Sequence, residues 1–482
     1  MVCDQHDHTR TEEQMTDQQA PAEPPAAATQ DVDRRALGVG LCIGVVAIAF
    51  ESISVATAMP RAAEDLGGVA YYAWAFTLFV IGMLTATVVA GRVADRVGPL
   101  RPLVLGMLTF AAGLVVAGAA TAMPQLLLGR LVQGVGAGAL NLGLFVVIAR
   151  AFDERHRATM MTWISTAWVV PAFVGPPVSA WITETFSWHW VFFGVLPLVV
   201  VAAALGLPTM LRLHRSGALD VTEPSTPVPL WAGAVVAVAA AGIQLAGQRA
   251  AEGIDAVTVA VAVAALAALL LAAPRLMPPG FLRLRPGLSS VVWVRAAAAG
   301  SFFGAEAFVP LMLVQTRGLP LVLAGASLTV GAVGWTTGSW LQSRSWVRLP
   351  RERLIALGCG SVLLGLLVTA VTAAVPSVWF GMVGVGWICT GLGMGLLMSS
   401  TSVAMMTLSR PSEQGRNSSS LQVGEALGNA VLAGAAGTIF ALLHDSSGLQ
   451  ATFGTVFAAM SASALVAVLL ATRIGRITAP GR

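Results

Sequence analysis

The chain contains no lysine; its 28 strongly basic side chains are all arginine. A phosphate-cradling GxxxxGK[ST] loop needs that lysine, so nucleotide hydrolysis through such a loop is excluded. HExxH and GxSxG are missing too, and nothing else in the sequence points to an enzyme. Charge of either sign is scarce, at 11% of 482 residues against about 25% in a soluble domain. The arginines are scattered among loops rather than gathered on one basic face, so nucleic acid is not an expected partner. Cysteine is rare: Cys3, Cys42, Cys359 and Cys389 form no CxxC, and three of them fall in apolar segments, where they read as small hydrophobes. His6 and His8 lie in a polar tail and read as solvated. No metal site and no cofactor is expected.

What the sequence has in excess is apolar length. Hydrophobic residues make up 56% of the chain, and the mean hydropathy is +0.78. A chain this long and apolar cannot keep its surface in water, so lipid must solvate much of it. A bilayer crossing takes about 20 mostly apolar residues. Segments of that kind run over 36–59, 70–90, 102–122, 124–149, 158–182 and 189–210. Two more cover 230–247 and 255–273, and six follow at 289–314, 320–342, 354–374, 378–408, 416–442 and 449–472. The expected fold is therefore an all-α membrane protein of fourteen transmembrane helices: two six-helix bundles plus two additional central helices. Its parts are a disordered cytoplasmic tail (1–35), an N-terminal bundle (36–210), a linker (211–229), an inserted helix pair (230–273), a second linker (274–288), a C-terminal bundle (289–472) and a cytoplasmic tail (473–482). About 35 polar residues precede the first span, so no cleavable signal peptide is expected, and Met15 offers an alternative start.

Arginine placement fixes the expected orientation. With the N-terminus in the cytoplasm, 22 arginines fall in inner loops and only Arg61, Arg249 and Arg317 in outer ones. A missed span would invert that bias downstream, and it never inverts. An internal repeat supports the same layout. Gly134, Gly136 and Gly138 in the fourth span are matched by Gly391, Gly393 and Gly395 in the twelfth, and each span is followed by ExxR, Glu154 to Arg157 and Glu413 to Arg416. Duplicated halves place a substrate cavity between them near the midplane.

The loop after the second span reads Gly91-Arg-Val-Ala-Asp95-Arg96-Val-Gly98-Pro-Leu-Arg101. It resembles the major facilitator signature GxxxDRxGRR, with Pro99 in place of one arginine. Three further segments are similar to the fourteen-helix drug:proton antiporter family. Phe50-Glu51 to Pro60 resembles LDxTIVNVALP, Gly129-Arg130 to Gly136 resembles GRxxQGxGxG, and Ser187 to Pro197 resembles SWRWIFxINxP. The fifth span departs from the family's GxxxGPxxGG, keeping Gly175-Pro176 but losing later glycines. The resemblance implies a bacterial inner-membrane, multi-pass secondary transporter that exports drugs in exchange for protons. Gly91, Asp95, Arg96 and Gly98 would form its gating loop, with Asp95 docking on the start of the thirteenth span, and Gly175 and Pro176 a helix-packing motif.

Charges at bilayer depth cost about 2.5–3.5 kcal/mol each on insertion scales, so those present call for a reason. Glu51 and Glu306 each lie eight residues from the outer end of their spans and Arg130 six, which puts all three at one level and marks them for proton coupling. Arg295, nearer the inner surface, is expected to snorkel. Gln133, Asn141, Trp168, Glu425 and Asn429 are assigned to the substrate cavity. The expected partners are a small-molecule substrate, protons and the bilayer, with the chain acting as a monomer. Export of amphiphilic drugs is the first reading; a dedicated exporter of an endogenous lipid, siderophore or antibiotic is the alternative, and a transport-dead sensor a third.

Overall fold

The computed structural model describes residues 34–152, 154–217, 230–344, 346–410, 413–444 and 446–477. Most of the terminal tails and of the 211–229 linker thus lies outside the described residues. No strand occurs among those described. That is the expected outcome in lipid, where each backbone N–H and C=O must be satisfied within its own segment.

The first bundle comprises α1 (Arg34–Asp65), α2 (Trp74–Val97), α3 (Leu100–Gly118), α4 (Met123–Ala151), α5 (Glu154–Thr185), α6 (His189–Phe193) and α7 (Leu196–Arg215). The central pair is α8 (Leu230–Glu252) and α9 (Ala256–Ala272). The second bundle comprises α10 (Leu288–Glu306), α11 (Val309–Arg317), α12 (Leu321–Gln342), α13 (Arg351–Ala374), α14 (Gly381–Leu408), α15 (Gln414–Leu443) and α16 (Leu449–Ala471). Because α6 with α7 and α10 with α11 each form one crossing, there are fourteen. Thirteen of them, among the described residues, are long and apolar enough to span a bilayer. The fourteenth, α5, has 32 residues and keeps three prolines inside it.

Two crossings differ from their expected continuity. The sixth opens with the short α6, pinned where Trp188 Nε1 donates to the Asp65 carboxylate at 3.2 Å. The ninth breaks at Ala307–Phe308. Pro310 is the second residue of α11 and offers no N–H to the Glu306 carbonyl, which removes one helical bond at the break.

The glycine repeat explains how the halves are built. A Cβ on Gly134 or Gly138 would overlap the carbonyl oxygens of Phe79 and Met83 in α2, and one on Gly136 would strike Phe110 in α3. In the second half Gly391 and Gly395 meet Gly331 and Trp335 in α12, and Gly393 meets Gly358 in α13. Each triplet lets two neighbours approach one helix backbone to backbone, the packing that apolar surroundings reward.

The halves meet along α5 and α12 on one side. On the other, α8 packs against both α2 and α15. At one end of the bundle Gly325 of α12 sits against Thr57 of α1 and the Pro176 carbonyl, and Tyr72, just before α2, donates to the Ala307 carbonyl at 2.5 Å. Its ring lies 5.4 Å from that of Phe308, which in turn lies 5.3 Å from Phe440.

Candidate functional site

Two charged clusters lie among the helices. The first joins α1, α2 and α4. The Arg130 guanidinium forms an ion pair with Glu51 Oε1, and both side chains are fully buried. Arg130 Nε also donates to the Ala75 carbonyl at 2.9 Å and Nη1 to Gln133 Oε1 at 2.7 Å, while the guanidinium lies 4.4 Å from the centre of the Phe79 ring. These contacts follow from the glycine packing: Arg130 precedes Gly134 by one turn, and Gly134 is where α2 comes closest.

The cluster is incompletely satisfied. Glu51 Oε2 and Gln133 Nε2 are buried without a hydrogen-bond partner among the described residues. Arg130, by contrast, has two neutral acceptors besides the carboxylate. Those two acceptors would keep it hydrogen-bonded, though without a counter-charge, in the absence of the carboxylate's charge. Gln133, expected in the substrate cavity, is fully buried and accepts from Arg130.

The second cluster lies in the other half. Arg295 Nε of α10 donates to Glu425 Oε2 of α15 at 2.8 Å, and Nη1 reaches the Met398 carbonyl, Thr401 Oγ1 and Ser402 Oγ of α14 at 3.1, 3.2 and 2.8 Å. Arg295 therefore does not snorkel to the surface. Two neighbouring helices, α14 and α15, supply its acceptors, and reaching for water would forfeit them. Asn429, one turn beyond Glu425, keeps a buried Oδ1 unpaired among the described residues. The Glu306 side chain is half-buried and makes no hydrogen bond or ion pair with any described residue. Its neighbour Ala307 receives the Tyr72 bond, and Tyr72 lies three residues from Ala75, which Arg130 holds. Asn141 is half-buried and Trp168 is 40% exposed.

At the opposite end from Tyr72, α2 turns into α3 at Gly98, whose φ of 81° favours glycine. The signature's last glycine is thus a backbone requirement. Arg96 is exposed, and Gly91 has only ordinary contact with Leu142. The side chains of Asp95 and Arg416, on which the expected docking turns, lie outside what is described. Gly175 is closed in by Ser54 of α1, and Ser179 Oγ donates to the Ser54 carbonyl at 2.8 Å, so the altered fifth-span motif still makes a tight seam. The Arg295–Glu425 pair and the Tyr72 bond went unread in the sequence. The signals were present: an arginine at depth without a nearby acid, and a chain with only two tyrosines, adjacent at 71 and 72.

Comparison with known proteins agrees with this architecture. The sequence model described as Major Facilitator Superfamily matches residues 41–433. Multidrug resistance protein 3 of Bacillus subtilis is 30% identical over 200 residues, covering 42% of this chain and 38% of that protein. The shared stretch is thus little more than a third of that relative. A probable multidrug-efflux transporter of Mycobacterium tuberculosis is 26% identical over 420 residues, covering 84% of this chain and 88% of that protein. A crystal structure of a mutant of the peptide transporter POT in complex with alafosfalin superposes with a TM-score of 0.67, at 16% identity and over 92% of this chain and 95% of that one. At that identity the likeness is one of fold.

Proposed function

Since this chain belongs to the Major Facilitator Superfamily, we propose that it is a proton-coupled exporter of amphiphilic or hydrophobic small molecules, working by alternating access between its two halves. The observation that carries the coupling is the buried Glu51–Arg130 pair with its spare acceptors. A static structural ion pair would have no use for an orphaned carboxylate oxygen beside it, since such a group adds desolvation cost.

In this reading Glu51 is paired and ionised when sealed from the proton-rich side. It accepts a proton when the halves rock and expose it, whereupon Arg130 falls back on Ala75 and Gln133. Opening the Tyr72 end breaks the bond to Ala307 and separates Phe308 from Tyr72, which ties the motion of α2 to Glu306 in the other half. One proton moving down about 100 mV supplies about 2.3 kcal/mol, enough for roughly a fifty-fold substrate gradient. The arginine bias supports cytoplasmic termini, and one chain is the working unit.

The names of the relatives from Bacillus and Mycobacterium support drugs as substrates. The test is a susceptibility and dye-efflux panel in a pump-deficient host. Expression is expected to lower dye retention and raise tolerance to several unrelated amphiphiles, and an uncoupler to abolish both. Efflux that continues unchanged with the uncoupler would contradict proton coupling. Tolerance to none of the panel would remove the drug assignment.

A further inference from the structure

The connection between α9 and α10 has no part in the transport reading, yet it is firmly built. Ser420 of α15 donates to the Leu276 carbonyl at 2.7 Å, and the Gly287 N–H donates to the Ile474 carbonyl beyond α16 at 3.1 Å. Trp293 of α10 donates to the Phe281 carbonyl at 2.9 Å and stacks on its ring, with centroids 4.5 Å apart and planes 6° from parallel. Ser290 Oγ holds the Arg285 carbonyl at 3.0 Å. A connection that served only to carry positive charge would need none of this.

The backbone is also bent at a cost. Leu284 has a φ of 49° and is the one non-glycine residue with positive φ among the described residues. A leucine there is strained, and strain of this kind persists where it places neighbouring groups. Its neighbours are Arg283 and Arg285. Gly280, at φ 85°, has no room for a Cβ because the Arg285 side chain lies across it. The outcome is a hollow of about 270 Å³ bounded by Pro274, Pro278, Phe281, Leu282, Arg283 and Arg285. Arg275 stands close by in sequence, its guanidinium 4.9 Å from the centre of the Trp231 ring. All three arginines are exposed, and none pairs with a carboxylate among the described residues.

We propose that this connection binds the phosphate of an anionic phospholipid headgroup, with the acyl chains lying along α9. Arginine forks match phosphate oxygens, and a basic hollow at the end of two spans sits where such headgroups lie. Lipid is favoured over a free anion by what adjoins the hollow. Among the spans α9 is the least buried, and it exposes Val259, Val263, Leu266 and Leu270 in a stripe leading down to Arg275, while Leu282 in the hollow is half exposed.

The full-length protein, washed in neutral detergent, is given phosphatidylglycerol or phosphatidylcholine, and retained lipid is measured by native mass spectrometry. Wild type is expected to hold phosphatidylglycerol and not phosphatidylcholine. The variant Arg283→Gln/Arg285→Gln should bind it about thirtyfold more weakly. Arg344→Gln/Arg348→Gln, on another turn with exposed arginines, should match wild type. Leu284→Gly, which frees the turn to leave the one backbone conformation that sets Arg283 and Arg285 side by side, should hold the lipid more weakly. Equal retention by the Arg283/Arg285 variant would overturn the proposal. Displacement of the lipid by millimolar inorganic phosphate would overturn the lipid assignment in favour of a free-anion site.

Discussion

At the scale of single residues, the account turns on what a buried charge does when its partner is removed. Arg130 and Glu51 have no access to water in this state, and deleting one member of such a pair costs about 3–5 kcal/mol because the other is left uncompensated. Arg130→Ala should therefore lower the unfolding temperature and the yield of membrane-inserted protein. Adding Glu51→Gln should recover much of that loss, since the stranded carboxylate is then gone. Thermal unfolding of the single and double variants in detergent checks this, and equal temperatures for the two would contradict it. This pairing was legible in the sequence because both residues sit at one depth in spans that the fold brings together. Arg295 and Glu425 were not: depth can be counted along a helix, but the direction in which a side chain leaves it cannot. For the same reason the contact of Gln133 with Arg130 cannot be read from the chain.

At the scale of the helix, small residues set which elements can touch. Gly134→Val and Gly391→Val are each expected to push α4 from α2 or α14 from α12 and to cost several kcal/mol, because the new side chain meets backbone that cannot yield. Gly360→Ala in α13 is the contrast. A Cβ there meets nothing within 4 Å, so the change should be tolerated or stabilise by about 0.5–1 kcal/mol through helix propensity. Size-exclusion profiles and unfolding temperatures of the three variants would separate these outcomes; equal behaviour would mean that the triplets mark sequence duplication and not packing. The glycine repeat itself could be read directly from the chain, as could the apolar spans. The break between α10 and α11 was missed because Pro310 and the two residues before it are as apolar as the span around them, and hydropathy does not register a missing donor.

At the scale of the molecule, two halves share one plan and are held together, at the end where α1 finishes, by Tyr72, Ala307 and the seam of Thr57 and Pro176 against Gly325. Tyr72→Phe keeps the ring contacts with Phe76 and Phe308 but removes the bond to Ala307, worth about 1 kcal/mol. A cysteine placed at Thr57, buried here, should then react several times faster with a membrane-impermeant maleimide, because this end opens more often. An unchanged labelling rate would deny the bond a part in holding the halves. The architecture was within reach of the sequence because arginine bias, span length and repeat each report on the whole chain at once. The contacts between halves were not, since they depend on which faces of α2, α5, α12 and α15 meet.

The most direct test of the central claim is proton-driven transport by purified protein in liposomes, comparing wild type with Glu51→Gln. Gln keeps the size of the side chain and an oxygen for Arg130 but cannot gain or lose a proton. With an imposed pH gradient, wild type should accumulate an amphiphilic dye against its gradient and Glu51→Gln should not, while dye binding stays within about twofold and Glu51→Asp still transports. Uphill accumulation by Glu51→Gln at the wild-type rate, abolished by an uncoupler, would show that the proton travels elsewhere and would contradict the account.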